Sequence, residues 1–171
     1  MDSQTVLLLA KYNKTTNDKM NAYIKKLTDE QWRQEFKTFY KSIKLICNHI
    51  YIADYAWLKR LSTLREFKYI NDVIFQTNIG FDQVILNGID NYIEKRNILD
   101  EKILQYANEI KDEDMTNQCQ YKDSHGKEYT RNYGGSILHM FNHETHHRGM
   151  ISILMEEMGI DNDYSNLISL V

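Results

Sequence analysis

The chain has 171 residues, 42% hydrophobic and 26% charged, which suits one globular domain with a core of its own across 1–171. An average composition would place roughly eight or nine prolines in this length; there are none, and only seven glycines, which disfavours β-sandwiches and proline-rich or low-complexity segments. With 21 basic and 24 acidic residues the formal net charge is −3, and no basic stripe suggests a nucleic-acid partner.

Four long helical patterns are expected. The first runs from Asp2 or Ser3 to Leu27, with Val6, Leu9, Ala10, Met20, Tyr23, Ile24 and Leu27 near helical spacing. It contains the longest strictly apolar run, Val6 to Ala10, far short of the roughly 20 residues a bilayer demands. Asp2 stands where a signal segment would be basic, so a cytoplasmic chain without membrane contact is expected. Thr28 and Gln31 have capping-box spacing. The second pattern spans Glu30 to Leu64, with a break allowed around Lys37 to Tyr40; Leu45, His49, Ile52 and Ala56 form its stripe. Residues 65–80 read as a long connection with some extended structure. The third pattern runs from Phe81 to Ile110, with a kink or break possible at Gly88. Asn117 to Tyr133 alternates on both sides of a Gly126-containing turn, the pattern of a β-hairpin. The fourth helix begins near Gly134-Gly135-Ser136, with Ser136 as the expected cap, and ends near Met158, where Gly159 supplies the stop. The expected fold is all-α: a four-helix bundle with a small hairpin before the last helix.

Chemistry concentrates in the histidines. His139, His143 and His147 are spaced by four, each turned only about 40° from the last, on a face shared with Ile151, Leu154 and Met158. His49 sits in the apolar stripe of the second helix. Any one such imidazole is accounted for by a hydrogen bond to a neighbour. Together, an i,i+4 pair and a third imidazole from a facing helix make a three-nitrogen metal site, so His143, His147 and His49 are the candidate ligands. His139 is a candidate to support them from outside the ligand set. His146 is turned about 100° from His147 and belongs on the bundle flank or at an interface. His125 falls in the hairpin turn and is expected to be exposed. Cys47 reads as a small buried apolar residue, and the only other cysteine, Cys119, has no metal or redox spacing to it.

His143-Glu144-Thr145-His146-His147 also matches H-E-x-x-H, with Glu144 as the general base of a peptidase. The extended form needs Gly and His where Met150 and Ile153 stand, and Glu156 and Glu157 lie too far along the same helix to be the third ligand. A di-iron carboxylate site would need a second Glu-x-x-His; Ile46 and Ser136 occupy the positions three before His49 and His139. Both readings are disfavoured.

The stretch Leu138-His139-Met140-Phe141-Asn142-His143-Glu144-Thr145-His146-His147-Arg148-Gly149 resembles the closing signature of the DinB family. Asn48-His49-Ile50 with Ala53-Asp54, Trp57-Leu58 and Arg60-Leu61 is similar to its second-helix motif. Tyr12-Asn13 and Asn17, Arg96 with Leu99-Asp100, and Tyr121 with Gly126 extend the likeness across nearly the whole chain. Met150, where the family often has Gln, and Thr15, where it often has Trp, depart from the pattern. The resemblance implies an up-down-down-up bundle, often a homodimer, with the metal triad on His49, His143 and His147 and zinc or nickel as the ion. It also implies relatives that are thiol-dependent transferases and isomerases. A metal-dependent enzyme of the thiol S-transferase type, acting on a low-molecular-weight thiol, is therefore the leading expectation. The alternative is a non-catalytic metal-binding or dimeric stress-response protein. Arg148, beside the site, is expected either to hold an anionic substrate or to form a surface salt bridge.

Overall fold

The computed structural model describes residues 1–123 and 125–171. Five α-helices and one hairpin make up the fold: α1 Ser3–Ile24, α2 Asp29–Arg33, α3 Ile43–Leu61, α4 Ile89–Glu109, β1 Gln118–Lys122, β2 Glu128–Asn132 and α5 Tyr133–Glu157. No helix among the described residues is long and apolar enough to cross a membrane.

Residue pairs fix the directions. Asn13 and Asn17 on α1 meet Asp100 on α4, and the Ser3 amide meets Asp112 just past the end of α4, so these helices are antiparallel. Asn13 also meets Arg148 on α5, while Leu9 and Leu138 line one groove, so α1 and α5 run together. Asp54 pairs with Arg96, and the C-terminal halves of α3 and α4 share one apolar cluster, so they are parallel. His49 opposite His143, and Leu61 opposite Tyr133, make α3 and α5 antiparallel. The order is up (α1), down (α3), down (α4), up (α5). A parallel α3–α4 pair requires the chain to travel back the length of the bundle between them, which is why residues 62–88 form so long a connection.

Local chemistry explains where the elements stop. Thr28 accepts from the Gln31 amide at 3.2 Å while the Gln31 side chain accepts from the Thr28 amide at 2.9 Å, the expected capping box. The helix it opens ends at Arg33, and the second pattern divides into two helices parted by residues 34–42, which include the break expected around Lys37 to Tyr40. Lys41 there takes φ 61°, a left-handed conformation rare for a residue with a Cβ, and Ser42 then caps α3 by accepting from the Leu45 amide. The third helix starts at Ile89, not Phe81. Gly88 is its cap residue, in extended backbone, its carbonyl taking the Tyr92 amide at 3.0 Å. The preceding segment is held away from helix by Asn48, which donates to the Gln83 carbonyl and accepts from the Ile85 amide. Residues 65–80 carry 3₁₀ turns at Tyr69–Asn71 and Val73–Gln76, with no strand. The hairpin is as expected, pairing Gln118 with Asn132 through Lys122 with Glu128.

For the last helix Asn132, not Ser136, is the cap: its side chain accepts from the Gly135 amide at 2.8 Å, and the Ser136 hydroxyl donates to the Asn132 carbonyl. Gly159 takes φ 74° and ends α5 as a left-handed stop.

The core has two apolar halves. One joins Val6, Ala10, Leu58, Leu99, Ile103, Ile137 and Phe141; the other joins Met20, Ile24, Ile46, Ile50, Tyr92, Ile151 and Met155. Between them lies a buried polar layer of Asn13, Asn17, Asp54, Arg96, Asp100, Glu144 and Arg148. The core stripe of α5 is therefore Ile137, Met140, Phe141, Glu144, Arg148, Ile151 and Met155. His139, His143 and His147 run along its border facing α3, and His139 is exposed. The inward face read from sequence is thus rotated by about one residue, because charged Glu144 and Arg148 occupy core positions that polarity assigned to the surface.

Candidate metal centre

The border of α5 faces α3 at the level of the polar layer, and there three imidazoles meet. His49 Nε2 lies 3.0 Å from His143 Nε2, which lies 3.1 Å from His147 Nε2. One nitrogen from each of the three falls within 4.8 Å of the others. An i,i+4 pair on α5 and the half-turn offset of α3 produce this convergence without special backbone geometry.

A ring nitrogen has one in-plane electron pair or one hydrogen. His143 Nε2 is within hydrogen-bond reach of two partners, and mutual hydrogen bonding satisfies it with only one. Burial, reinforced by the neighbouring imidazoles, lowers the pKa of His147 to about 3 and of His143 to about 4; burial lowers that of His49 as well. All three are neutral near pH 7 and present free pairs to one point. Ligands bound at 2.0–2.1 Å with angles of 90–110° stand about 2.9–3.4 Å apart; the two Nε2–Nε2 spacings to His143 match, and the third pair lies within 4.8 Å. The donor set fits a divalent ion. The Nδ1 atoms of His143 and His147 are buried without a protein partner, so no carboxylate or carbonyl locks these rings from behind as in many metal sites.

His147 is only 5% exposed, whereas His49 and His143 are half-buried. Tyr40, from the segment between α2 and α3, closes one side: its ring centroid is 4.5 Å from that of His49 and 5.2 Å from that of His147. Periodicity does not reveal Tyr40, since it lies outside any helix; its place two residues before the Ser42 cap is the one sequence signal that it would sit at the start of α3. His139 is adjacent to the site, with its ring 5.9 Å from His143 and 5.1 Å from Trp57. His146 is exposed and lies edge-on to His147 at 4.9 Å. His125 is exposed. Cys47 is fully buried, and burial pushes its thiol pKa up, so it is packing.

Glu144 turns away from the imidazoles into the core. It accepts from Arg96 at 3.0 Å and from Arg148 at 2.9 Å, and is 1% exposed. A peptidase base must face the metal's open side; this carboxylate does not. Arg148 is neither an anion-binding group nor part of a surface salt bridge. It is 2% exposed and donates to Glu144, Asn13, Asn17 and Thr145.

Arg96 ties the layer together, reaching Asp54 at 2.7 Å, Asp100 at 2.8 Å and Glu144. Three carboxyls against two guanidiniums leave one negative charge too many. Burial and the Glu144 charge push the Asp54 carboxyl well above its ordinary range. Burial opposes charge on Glu144 too, yet Arg96, a hydrogen bond to Asp54 and Arg148 hold its pKa at about 2. Within the Asp54–Glu144 pair the surroundings thus favour the neutral form at Asp54 and the charged form at Glu144, and Asp54 Oδ1 has no donor among the described residues.

A helical bundle of this order brings together three histidines from two antiparallel helices whose nitrogens could hold a metal ion. The comparisons with known proteins give the family. The DinB family model matches residues 1–166, and the chain belongs to that family. Protein DinB of Bacillus subtilis (strain 168) is 22% identical over 151 residues, covering 88% of this chain and 84% of its own. The crystal structure of a DinB-like protein from Bacillus cereus ATCC 10987 shares the fold, with a TM-score of 0.61 at 20% identity, covering 88% of this chain and 91% of that one.

Proposed function

We propose that this protein binds one divalent ion through His49, His143 and His147, with zinc or nickel as the ion, and uses it to activate a low-molecular-weight thiol for S-transfer. The observation that carries this reading is the meeting of three neutral imidazole nitrogens, two of them on half-buried residues. Three neutral nitrogen ligands leave the ion its full positive charge, which favours a thiol as thiolate near neutral pH. The chain's own contribution is positional. Burial keeps the imidazoles unprotonated, Tyr40 shields one side, and the core-facing Arg96–Glu144–Arg148 cluster fixes the rotation of α5 that aims His143 and His147 at α3. In the transfer the thiol proton leaves to water, the sulfur pair forms the bond to an electrophilic carbon, and the leaving group departs with its own pair.

The test is to load the protein with zinc or nickel, confirm one ion per chain by elemental analysis, and follow conjugation of mercaptoethanol to monochlorobimane. Conjugation above the uncatalysed rate, abolished by chelation and by His143→Ala, is the expected result. Stoichiometric metal with no acceleration for any thiol would leave a metal-stapled, non-catalytic protein as the better account.

A further inference from the structure

One helical turn beyond the histidines, the groove between α3 and α5 opens into a cavity of about 360 Å³ beside the hairpin. Its walls include Trp57 from α3, Tyr121 and Arg131 from the hairpin, and Ser136 and His139 from α5, and no lining residue is acidic. The volume is that of a small-molecule site. His139 is shared with the metal centre, standing between the Trp57 ring and the His143 ring. From His139 to His143 is one turn of α5, about 6 Å, and from Ser136 about 10 Å.

The charges around this cavity are not matched within the chain. Arg131 donates to its own neighbour's carbonyl at Thr130 and lies over the Tyr129 ring, with no carboxylate partner among the described residues. The Arg60 guanidinium stands behind the walls, 4.9 Å from the Trp57 ring and 4.6 Å from the Tyr121 ring, and its one hydrogen bond is a long one of 3.4 Å to the Lys122 carbonyl. Burial lowers its pKa against the opposing influence of Tyr121, Cys119 and Asp123, so the cation is only partly compensated. Asp123, the nearest acid on the hairpin, spends its carboxylate on the His125 and Lys127 amides of its own turn. Two guanidiniums with no salt bridge among the described residues, beside an aromatic-walled cavity, are suited to a carboxylate ligand with an apolar stem.

We propose that this cavity anchors the carboxylate of the thiol substrate, held by Arg131 with Arg60 adding positive charge from behind the Trp57 and Tyr121 rings, and that its thiol end reaches the three imidazoles about 6–10 Å away. The proposal rests on the thiol-activating reading of the histidine site and names the kind of thiol it takes.

Mercaptohexanoate and its neutral counterpart mercaptohexanol are suitable probes, with mercaptopropionate as an acid too short to span the two sites. Binding is read in two places: the indole N–H resonance of Trp57, assigned with Trp57→Phe, reports the cavity, and the thiolate-to-cobalt absorption of the cobalt-loaded protein reports the metal. Mercaptohexanoate is expected to bind roughly tenfold more tightly than mercaptohexanol, to shift the Trp57 resonance, and to lose that advantage in Arg131→Ala and in Arg60→Gln. Arg131 is exposed and its replacement leaves the core untouched, so lost affinity there is not lost folding. Mercaptopropionate should show no such advantage in the cobalt band. Equal binding of acid and alcohol, or a preference that survives both variants, overturns the proposal. A Trp57 shift sensitive to Arg131 but with no cobalt band for any thiol keeps the anchoring site and overturns the thiol chemistry; a cobalt band alike for acid and alcohol, with Trp57 unmoved, does the reverse.

Discussion

His147 illustrates how burial suits an imidazole to be a ligand: the surroundings that make its protonation unfavourable leave its electron pair free. Replacing any one of His49, His143 or His147 with Ala leaves two nitrogens, and bound zinc, measured by elemental analysis after dialysis, is expected to fall from one ion per chain to near none. The same chemistry sets a pH dependence for the metal-free protein. The folded pKa values of His143 and His147, about 4 and about 3, lie below the ordinary imidazole value of 6.5. The unfolded chain thus binds more protons between these limits, and the stability associated with neutral imidazole is complete above pH 6.5 and declines as the pH falls toward 3. Urea unfolding of the metal-free protein should show that decline, and the His143→Ala variant should show a shallower one. A decline equally steep in the variant would place its origin in the carboxyl layer instead. The triad was legible in sequence because i,i+4 spacing on one helix and a single histidine in the apolar stripe of another leave few alternatives. Tyr40 was not, since a residue in an irregular segment has no periodicity to place it.

The four long helices are joined through Arg96, which contacts carboxyls on α3, α4 and α5 while Asn13 and Asn17 bring in α1. Removing it strands negative charge in the core, so Arg96→Ala should cost about 3–5 kcal/mol in urea unfolding. Arg96→Lys should recover little, because one ammonium cannot present the planar fork that serves three carboxyls. Both variants should also weaken zinc binding, since Glu144 lies between the two ligands of α5; unchanged affinity would show that the layer holds the fold without aiming the histidines. Sequence pattern gave the number, order and approximate extent of the long helices, together with the hairpin, because periodicity and capping are local. It misplaced the inward face of α5 because Glu144 and Arg148 are charged residues at core positions, and their partners stand on other helices. It likewise began the third helix too early: Val84 and Ile85 continue the apolar spacing, but Asn48, from a distant part of the chain, holds that segment out of helix.

Across the whole bundle, the ligands come from α3 and α5, two helices that neighbour each other in space but are separated by the long connection, α4 and the hairpin in the chain. An ion held by both closes a contact that unfolding must break, and the unfolded chain offers no such arrangement of nitrogens. Binding therefore stabilises the folded state by mass action: at a free metal concentration a hundred times the dissociation constant the gain is about 2.7 kcal/mol. For a domain of this size that corresponds to a rise in Tm of about 5–10 °C. Thermal unfolding followed by circular dichroism, with zinc and then with excess chelator, should show the rise and its reversal. The His49→Ala variant should show neither, because its remaining ligands both lie on α5 and cannot tie that helix to α3. A zinc-dependent rise that persists in His49→Ala would mean that the stabilising ion sits elsewhere, and the antiparallel α3–α5 pair would then owe its register to packing and the Leu61–Tyr133 contact alone.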